Sequence, residues 1–349
     1  MENYLYIFIV ICFFTLLYIR FKESSYPIPV FPVSLSFLLC IFVVCSIAFY
    51  PVLIYGDKYN YLNNYNTITL GQIFTSGDIG WAAYTYLSKV LFNNSTVYFS
   101  ITAVIYVAGY YVFARKNFPA PYVFVFLLAC FCSFGFMSYG VNTLRAGFSM
   151  SLLLLAFSYH KKTAVFIIVA FLSVLCHKSM ALPLIAFIVT KYYNEPKVIF
   201  RFWLLALIVS FINLGFVSEF IQGNMGSFDE RSQGYLNSNG LSHYNSGFRV
   251  DFIVYSLIPI LVGYFYIVKL KVYDEFYIRL FNTYVIANSF WLLVIRMEFT
   301  DRMAYLSWFL IPYLLLHPLL KYKLNINQKV YVVVIVFGII TFTTLMSFK

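Results

Sequence analysis

The chain has 349 residues, of which 62% are apolar and 11% charged, against about 45–50% and about 25% in soluble globular domains. One soluble core cannot hide that much apolar surface, and apolar patches larger than a few hundred Å² are rare on soluble monomers, so lipid must be the solvent. The net charge of +11 has the sign of a nucleic-acid binder, but the Lys and Arg residues fall in ones and twos between apolar runs rather than along a stripe. That pattern excludes nucleic acid as a partner and fits the topological bias of membrane proteins.

A membrane helix needs roughly 17–25 apolar residues. In chain order, the runs that predict such helices fall at 4–19, 30–50, 97–114, 121–138, 141–159, 163–176, 179–190, 198–217, 251–268, 276–295, 303–320 and 330–347. The runs 163–176 and 179–190 are short and divided by His177 and Lys178. They read as a hairpin, a broken helix or a re-entrant pair, which leaves ten to twelve segments. The stretch 81–92 is amphipathic and too short to span, so it belongs at the interface. The first run sits where a signal peptide would, but its early charge is Glu2 and no small-residue cleavage site follows; it is expected to stay as an anchor. The fold class expected is therefore all-α: one polytopic membrane domain over 1–349, with an outer loop at 51–96 carrying the interfacial helix and a large outer loop at 218–250.

With the N-terminus outside, the Lys and Arg residues divide fifteen to nine between the two faces, and the richer face is expected to be cytoplasmic. Both long connections then lie on the outer face.

All six cysteines (Cys12, Cys40, Cys45, Cys130, Cys132 and Cys176) lie in apolar runs and read as small packing residues. No phosphate-cradling GxxxxGK[ST], HExxH or GxSxG occurs, and the four histidines are far apart. No cofactor or metal is expected. A substrate delivered within the membrane as a lipid-linked molecule, and met from the outer face, fits these absences.

Charge at membrane depth is expensive and usually functional, which singles out the outer-face basic residues at helix ends. Arg145 opens a long apolar run, as a snorkelling helix-end residue or as an anion ligand. His177 and Lys178 interrupt two runs, and the imidazole is able to carry a proton or donate to phosphate. Arg296, Glu298, Asp301 and Arg302 put four charges into seven residues, as mutual ion pairs or as a site. Asp57 is a loop carboxylate or a base. Arg249, in a loop rich in Ser, Gly and Asn, is a solvated charge or a substrate contact. Tyr61 and Tyr65, with Tyr59, are interfacial anchors or stacking platforms for sugars. Guanidinium groups bind phosphate oxygens bidentately and would neutralise a departing pyrophosphate; a nearby carboxylate would take the proton of an attacking hydroxyl.

The stretch Asn142-Thr143-Leu144-Arg145-Ala146-Gly147-Phe148-Ser149 resembles the "R-x-x-(small)" helix of the EpsG-like family, which includes many bacterial O-antigen polymerases of the Wzy type. Cys176-His177-Lys178-Ser179-Met180-Ala181-Leu182-Pro183 resembles that family's "H-K-S-A-L-x-x-P" block. Asp57 followed by Tyr61 and Tyr65 is similar to its "D…Y…Y" feature, and Asp301-Arg302-Met303-Ala304-Tyr305 to its late "R-x-x-Y". Gly147 departs from the pattern, where a looser or different small residue is expected.

The resemblance implies a GT-C-like polytopic fold and a metal-independent, inverting glycosyltransferase at the periplasmic face of the bacterial inner membrane. Such an enzyme moves a growing glycan from undecaprenyl pyrophosphate to the non-reducing end of a new lipid-linked repeat unit. Its implied partners are that lipid-linked oligosaccharide, membrane lipid, and the chain-length regulator and flippase of the same pathway. By role, Arg145 and Arg302 would hold pyrophosphate and His177 and Lys178 would contact phosphate or support the leaving group. Asp57, Glu298 or Asp301 would be the base, with Arg249, Arg296, Tyr61, Tyr65 and Tyr305 binding substrate. The competing readings are a lipid-linked oligosaccharide flippase, which should carry mid-membrane charges and internal repeats, and a membrane acyltransferase or ligase of surface glycans.

Overall fold

A computed structural model describes residues 2–23, 27–53, 57–212, 248–296 and 300–347, and every regular element among them is helical. Apart from its last residues, the outer loop expected at 218–250 lies outside the described residues, as does Glu298. The chain divides into two compact units, one made of 1–180 and 315–349 and the other of 181–314.

The first unit begins with α1 (Glu2–Phe21) and α2 (Val33–Ala48), followed by the polar helices α3 (Asp57–Thr67) and α4 (Leu70–Thr75) and the amphipathic α5 (Ile79–Phe92). Next come α6 (Ser95–Asn117), α7 (Val123–Phe131), the short α8 (Phe136–Val141), α9 (Leu144–Ser158) and α10 (Thr163–Cys176), closed by the 3-10 turn Lys178–Met180. The second unit holds α11 (Ala181–Tyr192), α12 (Pro196–Ile212), α13 (Val250–Val268), α14 (Glu275–Leu293) and α15 (Thr300–Trp308). The helix α16 (Ile311–Lys321) leads back into the first unit and α17 (Gln328–Ser347). The interfacial stretch at 81–92 thus forms a helix, and the division expected at His177 and Lys178 is a 3-10 turn between two helices.

Four helical stretches among the described residues are long and apolar enough to cross a membrane: Ser95–Asn117, Val250–Val268, Thr300–Lys321 (α15 and α16 taken together) and Gln328–Ser347. Shorter apolar helices accompany them. Large apolar side chains point outward from several, with Phe171 61%, Phe202 60% and Phe337 60% exposed. Only lipid tolerates so many, and the chain is a membrane protein. Two predicted runs are broken. In 121–138 the helix stops after Phe131 and restarts from Gly135, whose φ of 88° is open to glycine without steric cost. In 303–320 it breaks at Phe309 and Leu310, just ahead of Pro312, which has no N–H to bond to the previous turn.

Because lipid supplies no hydrophobic drive between helices, they associate through small residues and interhelical hydrogen bonds. A Cβ on Gly109 of α6 would sit 2.1 Å from Ser151 Oγ of α9, and that hydroxyl donates to the Ile105 carbonyl at 2.6 Å. Ser173 Oγ of α10 donates to the Ser149 carbonyl of α9 at 2.6 Å. In the second unit the buried Asn288 of α14 accepts from Trp203 Nε1 of α12 at 2.8 Å. Its amide nitrogen donates to Ser256 Oγ of α13 and Ser307 Oγ of α15, both at 3.1 Å, so one side chain ties four helices.

The end of α2 is held from α3. Lys58 Nζ donates to the carbonyls of Ile47, Ala48 and Tyr50 at 3.1, 3.0 and 2.7 Å and lies 4.8 Å from the centre of the Phe99 ring. Burial pushes this ammonium down to about 8, so it still carries its charge at neutral pH against the negative end of a helix. Lys58→Met leaves these carbonyls unpaired and is expected to destabilise the protein by about 1–3 kcal/mol. Thermal unfolding in detergent would register this as a lowered midpoint; an unchanged one would dismiss the lysine as a cap.

Candidate functional site

Three helix ends meet around one carboxylate. Arg145 lies in the first turn of α9, where a cation faces the positive end of the helix dipole and needs a counter-charge. Asp78 supplies it. It occupies the position before α5 that normally caps a helix, yet its side chain makes no capping bond to α5. Its Oδ2 pairs with Arg145 Nη1 and lies 3.4 Å from His177 Nδ1, the residue that ends α10. Its Oδ1 accepts the Lys178 backbone N–H at 3.2 Å. Burial works against the charge on Asp78, but the His177 bond, the nearby Arg145 charge and the Lys178 N–H outweigh it and hold the carboxyl below its ordinary value. The Asp78 side chain is 8% exposed, Arg145 18% and His177 20%, while Lys178 is exposed. The carboxylate is thus more deeply buried than the cationic groups around it.

Two glycines set these distances. A Cβ on Gly80 would lie 2.9 Å from the Leu175 carbonyl carbon and 3.0 Å from both Cys176 N and Sγ, so only glycine lets α5 approach the end of α10 this closely. A Cβ on Gly147 would lie 2.3 Å from the Tyr139 carbonyl oxygen, which gives this departure from the expected pattern a packing reason: α9 lies against α8 two residues beyond Arg145.

An aromatic cluster packs α3, α5, α6 and α9 together beside the charges. Trp81 touches Tyr61, Tyr84, Tyr98 and Phe148, with ring centres 5.5–6.2 Å apart. Tyr65 is 3% exposed and stacks on Tyr98 at 4.9 Å, so its ring serves the packing, whereas Tyr61 lies partly buried at the edge.

Of the residues singled out by sequence, the structure brings together Arg145, His177 and Lys178. Asp57, half-buried at the start of α3, shares no hydrogen bond or ion pair with them among the described residues. The second unit carries its own charges. Arg249 forks onto Asp251 at 2.9 and 2.8 Å, lies 3.7 Å from the Phe252 ring centre and feels the charge of Asp301. Arg302 neighbours Asp301, Arg296 lies 5.0 Å from the Phe248 ring centre, and Tyr305 is buried against Trp308. No group of three or more His, Cys, Asp or Glu is placed to hold a metal among the described residues. Sequence reasoning missed Asp78. Its signal was there: it is the one acidic residue between Asp57 and Glu195, the stretch that also carries Arg145, His177 and Lys178.

The fold is that of a helical membrane protein, and its candidate site is an arginine, a histidine and a lysine backbone N–H gathered by one buried aspartate. The chain belongs to the EpsG family, whose model matches residues 34–349. EpsG-like proteins are Wzy-type polymerases, and membership points to a glycosyltransferase-like polysaccharide polymerase in surface-glycan synthesis. No curated protein and no solved structure matches the chain.

Two measurements in detergent probe the site. Asp78→Ala should cost more stability alone than with Arg145→Ala, giving a coupling of about 1–3 kcal/mol in a double-mutant cycle. Additive losses would break the pairing. Gly80→Ala should destabilise by about 1–3 kcal/mol through overpacking, and a neutral effect would mean that the two helix ends are not in contact.

Proposed function

We propose that this protein polymerises surface polysaccharide by transferring a growing glycan from undecaprenyl pyrophosphate to the non-reducing end of a new lipid-linked repeat unit. The reaction would run at the periplasmic face of the bacterial inner membrane, on a GT-C-like fold of about twelve segments, with inversion and without metal. The observation that carries the reading is the preorganised cation at Arg145. Asp78 pairs with its guanidinium, which stays partly exposed, and the same carboxylate holds the backbone N–H of Lys178. A fixed guanidinium in a partly desolvated site suits the charge that develops on a departing diphosphate, because its position is already set before the reaction begins. The first N–H groups of α9 lack intrahelical acceptors and add positive potential at the same place.

In the second unit, Arg302 would hold diphosphate, and Arg249, Arg296 and Tyr305 would contact substrate; Tyr61 of the first unit would contact sugars. A chain-length regulator and a flippase would work with the enzyme in the same pathway. A flippase would carry its charges along a path across the membrane, whereas the polymerase reading uses charges gathered at helix ends, as in the first unit.

The test is a reconstituted assay with purified protein and one lipid-linked repeat unit, without nucleotide. Wild-type protein should yield a ladder of glycan lengths, and Arg145→Ala, present at wild-type level, should lose it by at least about 100-fold. A wild-type protein that makes no ladder would refute the polymerase reading; a ladder from Arg145→Ala would remove the arginine from it.

A further inference from the structure

We propose that His177 is the catalytic base of this transfer and that Asp78 is its positioning residue. The inference rests on the polymerase reading. It starts from what Asp78 accepts. One of its oxygens faces the Arg145 guanidinium and the other takes the Lys178 backbone N–H, so both oxygens face donors. An ionised carboxylate is an acceptor only. The ring nitrogen of His177 that faces it, Nδ1 at 3.4 Å, must therefore be the one carrying hydrogen. In the neutral imidazole that assignment leaves the lone pair on Nε2. This nitrogen makes no hydrogen bond among the described residues, and the side chain is one-fifth exposed. The arrangement has the logic of a buried carboxylate that fixes a histidine tautomer for proton abstraction.

The same geometry argues against two carboxylates of the first unit, Asp78 and Asp57. Asp78 has both oxygens engaged and is buried, so it orients rather than abstracts. Asp57 shares no bond with the cluster. His177 is the group at this site whose ring keeps an acceptor nitrogen, and it shares the Asp78 oxygen with Arg145.

In the step, the acceptor hydroxyl oxygen forms a bond to the anomeric carbon of the donor as the bond from that carbon to the diphosphate oxygen breaks. The hydroxyl proton passes to His177 Nε2, and the electron pair leaves with the lipid diphosphate, facing Arg145 and Lys178. Asp78 stabilises the imidazolium that results and does not take the proton.

The experiment measures initial rates of ladder formation by the full chain in nanodiscs over a range of lipid-linked unit concentrations. His177→Gln should lower kcat by about 10²–10⁴-fold while the apparent KM stays within about threefold of wild type. Asp78→Asn should shift in the same direction, because a neutral amide no longer selects the tautomer. Arg145→Gln should instead raise KM as well as lower kcat. If His177→Gln turns over within about twofold of wild type, or loses only in KM, the histidine is not the base. Where the glutamine variant fails to accumulate, His177→Gly decides: turnover restored by added imidazole supports the assignment, and no restoration overturns it. A wild-type protein that forms no ladder takes down the polymerase reading with this one, whereas an active His177→Gln takes down this one alone.

Discussion

A guanidinium at the start of an apolar helix faces two penalties at once: the positive end of the helix dipole and loss of water. Asp78 answers both, and much of the first unit is arranged around it. Its own desolvation cost is offset by three donors from two other elements, the arginine of α9 and the histidine and backbone N–H that follow α10. Removing the carboxylate would leave a partly buried cation at a helix start. The pair is thus a structural pin and, at the same time, the source of the site's electrostatic field.

That pin works because the helices can approach. Gly80 lets α5 reach the end of α10, Gly147 lets α9 lie on α8, and Gly109 lets α6 lie on α9. Small residues of this kind set interaxial distances in lipid, where apolar side chains gain little from leaving one hydrocarbon environment for another. The Trp81 cluster fills the space beside the charges and Lys58 ties the end of α2 to α3, the segment that carries Asp57 and Tyr61. In the second unit, Asn288 plays the corresponding role with amide and hydroxyl groups in place of ions.

The helical membrane character was legible from composition, and most helices lie where apolar runs predicted them, because span length and hydropathy are local properties. The breaks at Gly135 and Pro312 were written in the sequence too, yet an apolar count passes over a single residue that changes backbone geometry. Arg145, His177 and Lys178 stood out because charge within apolar runs is conspicuous. Asp78 did not. A Ser-Gly-Asp before an amphipathic stretch reads as an ordinary helix cap, while its partners lie 67 to 100 residues further along the chain. Tyr65 is the reverse case: in a polar stretch it reads as an anchor or a stacking ring, and only packing shows it buried against Tyr98 while Tyr61 stays at the edge.

The most direct measurement is a cryo-EM structure of the protein in nanodiscs with a non-transferable lipid diphosphate bound. The diphosphate should lie within about 4 Å of the Arg145 guanidinium and the Lys178 ammonium, with Asp78 still joining Arg145 to His177. Density for the diphosphate elsewhere, or an Arg145 turned away from Asp78 in that complex, would contradict the account at its foundation.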